Sequence, residues 1–344
     1  MSALSVIYGR VSHVRRAWYR QPQRRRHLEQ PVVSVGNLVV GGSGKTPTVI
    51  AIARILQDLG ERPAILSRGY GRQARPRRPL VVVSDGSGPL VPVAESGDEP
   101  QMLARALPGV SVVVCADRYI AGRWAATHLG ATVHLLDDGF QHVRLSRDVD
   151  LLLLSVADLD EQVLPAGRLR EPVTAAAAAD AVLATGSAAD RSRIATSVEK
   201  TMFELVPVTS ALRRVHPFGE AVSPAGDGVV AVAAIARPER FFASLEASGV
   251  ALLARLTYRD HHWFSERDIR TIEETARAHG TSLVVTTEKD AVRLEPRLSA
   301  RAAHDSTVQW AYQPYGVRIE PDAAFRTWLA ARVNAARRRV PRPT

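Results

Sequence analysis

Residues 32–47, VVSVGNLVVGGSGKTP, constrain the fold more than any other stretch of the chain. A β-branched apolar run enters a glycine-rich turn, and Lys45, Thr46 and a helix-like segment follow. Strand, loop and helix N-terminus in that order make an anion cradle. Small residues let backbone N–H groups converge on phosphate oxygens, a lysine reaches the outer phosphates, and a hydroxyl can hold Mg²⁺. The spacing is not the common one: G-x-x-x-x-G-K-[ST] needs glycine at position 39, where Val39 stands. A glycine-rich turn before a helix also occurs without a ligand. The Lys-Thr pair directly after Gly44 favours a nucleotide site built from Gly41, Gly42, Ser43, Gly44, Lys45 and Thr46.

The surrounding pattern suits such a loop. Candidate strands at 32–36, 63–67, 80–83, 111–114, 132–136, 150–155 and 181–184 are interleaved with helical stretches at 46–59, 98–107 and 118–128. Strands separated by crossover-length helices predict an α/β fold with a mostly parallel sheet covered on both faces and ligands at the strands' carboxyl ends. Ala-rich 175–179 reads as helical filler or loop. The apolar signal weakens from about 185 to 228, ending in the turn-rich HPFGEAVSPAGDG. A second, smaller α/β unit follows, with strands at 229–235, 251–256 and 282–286 and helices at 238–248 and 265–279, and 325–339 reads as a basic helix. The expected divisions are 1–30, an N-terminal basic helix and tail; 31–226, the phosphate-loop domain; 227–315, the smaller domain; and 316–344, a C-terminal basic helix.

The formal net charge of +10 over 344 residues is concentrated at the two ends. Residues 10–26 carry seven arginines and no acid, and the last thirteen residues carry five arginines and no acid. Leu4, Ile7, Tyr8, Val11, Val14, Trp18 and Tyr19 gather on one side of a helix over 4–19, with Arg10, Arg15, Arg16 and Arg20 flanking it or facing away. That describes either a helix lying in an anionic membrane surface or one packed on the protein with a solvated arginine face. The basic ends lack the aromatic interleaving or recognition helix of a nucleic-acid binder, so no specific nucleic acid is expected. No signal-peptide pattern is seen, and runs such as LLLLSVA are too short to span a bilayer. The single cysteine, Cys115, excludes an intramolecular disulfide and reads as a buried strand-end thiol.

Five polar clusters carry candidate chemistry. SGDEP places Asp98 and Glu99 at a helix start, where acids also serve as caps. HLLDDGFQH puts Asp137 and Asp138 just past a strand end, where two adjacent carboxylates repel unless a cation offsets them. LPAGRLREP brings Arg168, Arg170 and Glu171 into one loop, either to clamp phosphate or to face water. YRDHHWF holds Asp260, His261 and His262, weak evidence for a metal without a third ligand. TTEKD offers Lys289 as an anion contact, although a solvated loop is the expectation there. Phosphoryl transfer needs positioned phosphates, a metal, positive charge and an oriented acceptor. Lys45 and the glycines, Thr46 with an acid from 137–138 or 99, an arginine, and Asp98 with a histidine supply a candidate for each. The rival reading is a P-loop ATPase or GTPase switch at the membrane surface.

With these segments in place, the chain resembles the tetraacyldisaccharide 4'-kinase family of lipid A biosynthesis. SVGNLVVGGSGKTP, LSRGYGR, GDEP, VVVCADR, LDDGFQH, LPAGRLREP, ARPERFF, DHH and TTEKDAV carry the likeness over nearly the whole chain. The resemblance implies a P-loop NTPase-like domain, a smaller C-terminal α/β domain joined by a two-stranded linker, and an N-terminal amphipathic helix at the membrane. It implies transfer of the ATP γ-phosphate to the 4'-hydroxyl of an acylated disaccharide 1-phosphate, giving lipid IVA, by a peripheral protein on the cytoplasmic face of the bacterial inner membrane. A monomer is expected, with ATP and Mg²⁺ as cofactors. By the same resemblance Lys45 is the phosphate-loop lysine and Asp98 the catalytic base, with His261 preferred over His262 as its partner. Thr46, Glu99, Asp137 and Asp138 organise the metal, and Arg170 lies near the reacting groups. One departure is that Ala236 and Arg237 stand where many members have Gly-Asn.

Overall fold

Val, Ile and Leu runs bounded by turn formers become buried strands, because a sheet covered on both faces hides every side chain of a strand rather than alternate ones. The computed structural model describes residues 3–42, 44–73, 79–222, 228–301 and 307–338. Ser43 of the phosphate loop, the boundary around 226 and the basic residues beyond 338 lie outside the described residues.

The strands are β1 (Val32–Asn37), β2 (Pro63–Ser67), β3 (Leu80–Ser84), β4 (Ser111–Cys115), β5 (Val133–Asp137), β6 (Val149–Ser155), β7 (Ala181–Thr185), β8 (Thr201–Thr209), β9 (Arg213–Arg214), β10 (Val229–Ala233), β11 (Leu252–Thr257), β12 (Leu283–Thr287), β13 (Gln309–Gln313) and β14 (Tyr315–Glu320). Among the described residues they form a nine-stranded sheet, β14-β8-β7-β6-β1-β5-β2-β4-β3, and a five-stranded sheet, β11-β10-β12-β13-β9. The large sheet is parallel except at its edges, where β3 and β14 run antiparallel to their neighbours. In the small sheet β9 is the antiparallel strand.

Helices cover both faces of the large sheet. Val49, Ile52 and Leu56 of Lys45–Asp58 and Leu103 of Asp98–Ala106 bury against Val33, Val35, Ile65 and Leu135. Phe325, Leu329 and Val333 of the C-terminal helix Asp322–Arg337 join the same core. Ala121 and Ala125 of Arg118–Leu129 pack on the opposite face. The region of weak apolar signal holds a helix, Ala188–Ser197, and the strand β8. In β8 only Phe203 and Leu205 turn inward, which dilutes its apolar signal. Ala-rich 173–178 is a 3₁₀ turn.

The chain passes between the sheets twice, from β8 to β9 and from β13 to β14. Both passages leave one ribbon, because β8 and β14 pair from Thr209↔Tyr315 to Glu204↔Glu320.

Candidate functional site

The phosphate loop leaves β1 beside the end of β5, with Val35 opposite Asp137. A Cβ on Gly36 would lie 2.5 Å from Cβ of Phe140, so only glycine lets the DDGFQH segment cross β1 this closely. The crossing brings four charged or polar side chains together. Arg170 grips Asp138 with both ends of its guanidinium, Nη1 to Oδ2 and Nη2 to Oδ1, each at 2.8 Å. Lys45 Nζ lies 3.7 Å from Asp138 Oδ1 and donates to Asn37 Oδ1 at 3.2 Å. Arg170 Nη2 also donates to Asn37 Oδ1. Asp138 takes a left-handed backbone, φ 53°, to face this group. Burial pushes its carboxyl up, but Arg170, Lys45 and the buried Arg118 outweigh that and hold it ionised below the ordinary range. Asp137 forms no ion pair among the described residues. Burial, then the charges of Glu99 and Asp138, push it up to about 7 against a hydrogen bond from Ser67 Oγ at 3.0 Å and the nearby charge of Lys45.

A second group lies where the Asp98–Ala106 helix meets the Glu288–Arg301 helix of the small-sheet domain. Asp98 is only 2% exposed. Its Oδ1 accepts from the Glu99 backbone N–H at 2.9 Å, and its Oδ2 accepts from Arg293 Nη1 at 2.9 Å. His261 Nδ1 stands 3.0 Å from the same Oδ2, without the alignment of a full hydrogen bond. Lys289 Nζ lies 3.1 Å from His261 Nε2, 3.7 Å from Glu99 Oε1 and 4.0 Å from Asp98 Oδ2. Burial pushes the Asp98 carboxyl up, but His261, Lys289 and Arg293 together bring it below the usual carboxylate range. His261 has φ 61°, and a Cβ on Gly71 would come within 2.9 Å of its Nδ1. His262 goes elsewhere: its Nε2 meets Asp268 at 3.1 Å and its ring stacks on Tyr258.

A family profile described as "LpxK: Tetraacyldisaccharide-1-P 4'-kinase" matches residues 1–334. The chain belongs to this family. A tetraacyldisaccharide 4'-kinase of Syntrophus aciditrophicus is 42% identical over 287 residues, covering 77% of this chain and 75% of the relative. One from Geobacter metallireducens is 41% identical over 310 residues, covering 87% and 89%. The crystal structure of the "apo" form of LpxK from Aquifex aeolicus in complex with ATP superposes with a TM-score of 0.75 at 30% identity, covering 96% of this chain and 97% of that one. The chain is therefore a kinase with the mixed α/β architecture of the family.

Within this family member, Lys45 and Thr46 open the Lys45–Asp58 helix behind Gly44, whose φ of 80° requires glycine. The phosphate loop is latched to the LPAGRLREP loop by Val40 N–H to Arg168 O at 2.9 Å, while the Arg168 side chain turns away to Glu161. Glu171 is buried and bonds Arg16 of the N-terminal helix at 2.6 and 2.8 Å. Ala236 is exposed, and Arg237 caps the Pro238–Ala247 helix without a side-chain bond. Among the described residues no three His, Cys, Asp or Glu side chains converge tightly enough to hold a metal alone. A magnesium ion fits such an arrangement nonetheless, because it takes one or two carboxylates and fills its remaining positions with water and substrate phosphates. Asp137, buried beside Glu99 and Asp138 with no ion-pair partner among the described residues, is the group a cation would serve.

TTEKD is not a solvated loop: Thr286, Thr287 and Asp290 are buried, and the segment opens the helix that delivers Lys289 and Arg293. Asn37, Ser67, Gly71, Arg118 and Arg293 were not singled out as candidates by sequence reading, although Asn37, Ser67, Gly71 and Arg118 fall inside the segments that carry the family resemblance.

The N-terminal helix Ala3–Trp18 presents the reverse of an ordinary amphipathic face. Leu4, Ile7, Val11, Val14 and Trp18 are exposed, while Ser5 and Arg16 are buried against the protein. The Ala166 N–H donates to Ser5 Oγ at 3.2 Å, and Arg16 also donates to Phe140 O at 3.0 Å. Arg16 thus faces away from the apolar side, as expected, but into the protein rather than into solvent. Among the described residues no helix is long and apolar enough to cross a membrane.

Proposed function

We propose that the chain transfers the γ-phosphate of ATP to the 4'-hydroxyl of a tetraacyldisaccharide 1-phosphate, forming lipid IVA. Family membership supports the reaction, and the observation that carries the assignment of roles is the Asp98–His261 pair facing Glu99 and Lys289 across the two domains.

In this reading the acceptor hydroxyl gives its proton to Asp98 as its oxygen bonds to the γ-phosphorus, and the bond to the β–γ bridging oxygen breaks to release ADP. Asp98 is held ionised by its neighbours, so it is ready to accept, and His261 orients it through Nδ1. Gly41, Gly42 and Gly44 present backbone N–H groups to the phosphates, and Ser43 belongs to the same loop by sequence. Lys45 and Arg170 bring fixed positive charge to the transferred group, held at a set separation by Asn37 and Asp138. Thr46, Glu99, Asp137 and Asp138 would hold Mg²⁺ around the nucleotide. Bound there, the ion supplies charge neutralisation on the phosphate oxygens. The outward apolar face of the N-terminal helix lies in the membrane surface, with Arg10, Arg15 and Arg20 beside it for anionic lipid. The protein is peripheral and monomeric, and acts at the cytoplasmic face of the inner membrane.

The test follows label from γ-labelled ATP into tetraacyldisaccharide 1-phosphate in detergent micelles with Mg²⁺. Label at the 4'-position with wild type, and loss of turnover in Lys45→Ala and Asp98→Asn with the fold intact, is the expected result. ATP hydrolysis without lipid labelling would sink the transfer reaction in favour of a hydrolytic switch.

A further inference from the structure

Asp98 belongs to the large-sheet domain, yet its geometry is set from the other one. Arg293 reaches it across the boundary with a side chain only 1% exposed. One end of the guanidinium donates to Asp98 Oδ2 at 2.9 Å, and the other to the Ala234 carbonyl at 3.1 Å and to Asp290 Oδ1. Asp290 is itself fixed: its Oδ2 accepts from the Ala234 N–H at 2.9 Å and from Thr287 Oγ1 at 2.7 Å. The same Ala234 carbonyl accepts from the His261 backbone N–H at 3.1 Å. One peptide position past the end of β10 therefore anchors the two groups nearest Asp98 Oδ2.

We propose that Arg293 is a positioning residue for the phosphoryl transfer, holding the Asp98 carboxylate in register with His261 by bridging it to the Asp290–Ala234 anchor of the smaller domain. The inference rests on the reading of Asp98 as the base. Lysine cannot replace the guanidinium here, because one compact ammonium cannot span a carboxylate in front and a carboxylate and a carbonyl behind. A buried ion pair gives little stability beyond what apolar packing would supply. This one bridges two domains at the carboxylate assigned to the chemistry.

Full-length wild type, Arg293→Lys, Asp98→Asn and the double variant are compared by steady-state lipid labelling, with thermal melts and ATP binding as checks on the fold. Arg293→Lys is expected to lower kcat by about a hundredfold, the scale of a small misplacement of a reacting group. Its KM for ATP should stay within about twofold, since nucleotide binding is not what Arg293 serves. In the Asp98→Asn background the same change should cost nothing further, because a residue that acts through Asp98 has nothing left to position. Millimolar guanidinium should restore part of kcat to Arg293→Ala. Should Arg293→Lys turn over like wild type, or cost the same factor with Asp98 already removed, the positioning role is wrong while the base stands. Normal turnover in Asp98→Asn alone would instead remove the base assignment and this inference with it.

Discussion

Gly71 sits against the proposed Asp98–His261 pair with φ 77°, and any side chain there would press on His261 Nδ1. Gly71→Ala therefore combines backbone strain with a displaced imidazole, and kcat should fall by at least about tenfold with nucleotide affinity retained. Isothermal titration with a non-hydrolysable nucleotide beside turnover separates the two. A different residue contributes to acid sensitivity. His134 is fully buried in β5 with neither ring nitrogen bonded, and burial lowers it from 6.5 to about 4. Below pH 6.5 the unfolded chain takes up a proton that the folded chain refuses. Stability should thus fall as pH drops from 6.5 to about 4 and level off below, with a total on the order of 3 kcal/mol. Urea melts of wild type and His134→Leu at pH 7 and pH 4.5 measure the slope, and an equal loss in both proteins would clear His134 of the effect. At this scale Lys45 and Asp98 stood out from their motifs, because loop glycines and acids at a helix start mark themselves, whereas His261 was preferred over His262 only through the family resemblance. Arg293 did not stand out, since its partner Asp98 is 195 positions away and its own neighbours read as an exposed charged run.

The N-terminal helix was legible as a helix from its three- and four-residue spacing, and its exposed apolar side fits the membrane-surface alternative, but its tie to the protein was not legible. Apolar periodicity normally names the face that meets the protein. Here Ser5 and Arg16 make that contact, and the tie is the buried Arg16–Glu171 pair. Glu171→Gln leaves Arg16 buried without its counter-charge, so the helix should loosen. Association with anionic vesicles and lipid turnover should drop together, with ATP binding unchanged; vesicle flotation read against nucleotide titration is the check. Two other elements escaped the sequence for different reasons. β8 buries only Phe203 and Leu205 of its nine residues, too few for a clear run. The Glu288–Arg301 helix carries a charged first turn and an internal Pro296, both of which imitate a loop.

For the whole molecule, the crossover pattern predicted the parallel order of the large sheet, and the spacing of β10 to β12 predicted a second unit. The return of the chain to the first sheet through β14, and the docking of the C-terminal helix there, depend on a partner strand more than a hundred residues upstream and left no local trace. The LPAGRLREP loop joins the scales. Arg170 in it grips Asp138, and the next residue, Glu171, holds the outward-facing helix through Arg16. The proposed membrane helix and phosphate site are thus tied through one loop, which on the proposed placement sets the reacting groups at a fixed height over the surface the helix occupies. An enzyme built this way searches in two dimensions. Its velocity should follow the mole fraction of acceptor in a mixed micelle and fall on dilution with neutral detergent at constant bulk acceptor.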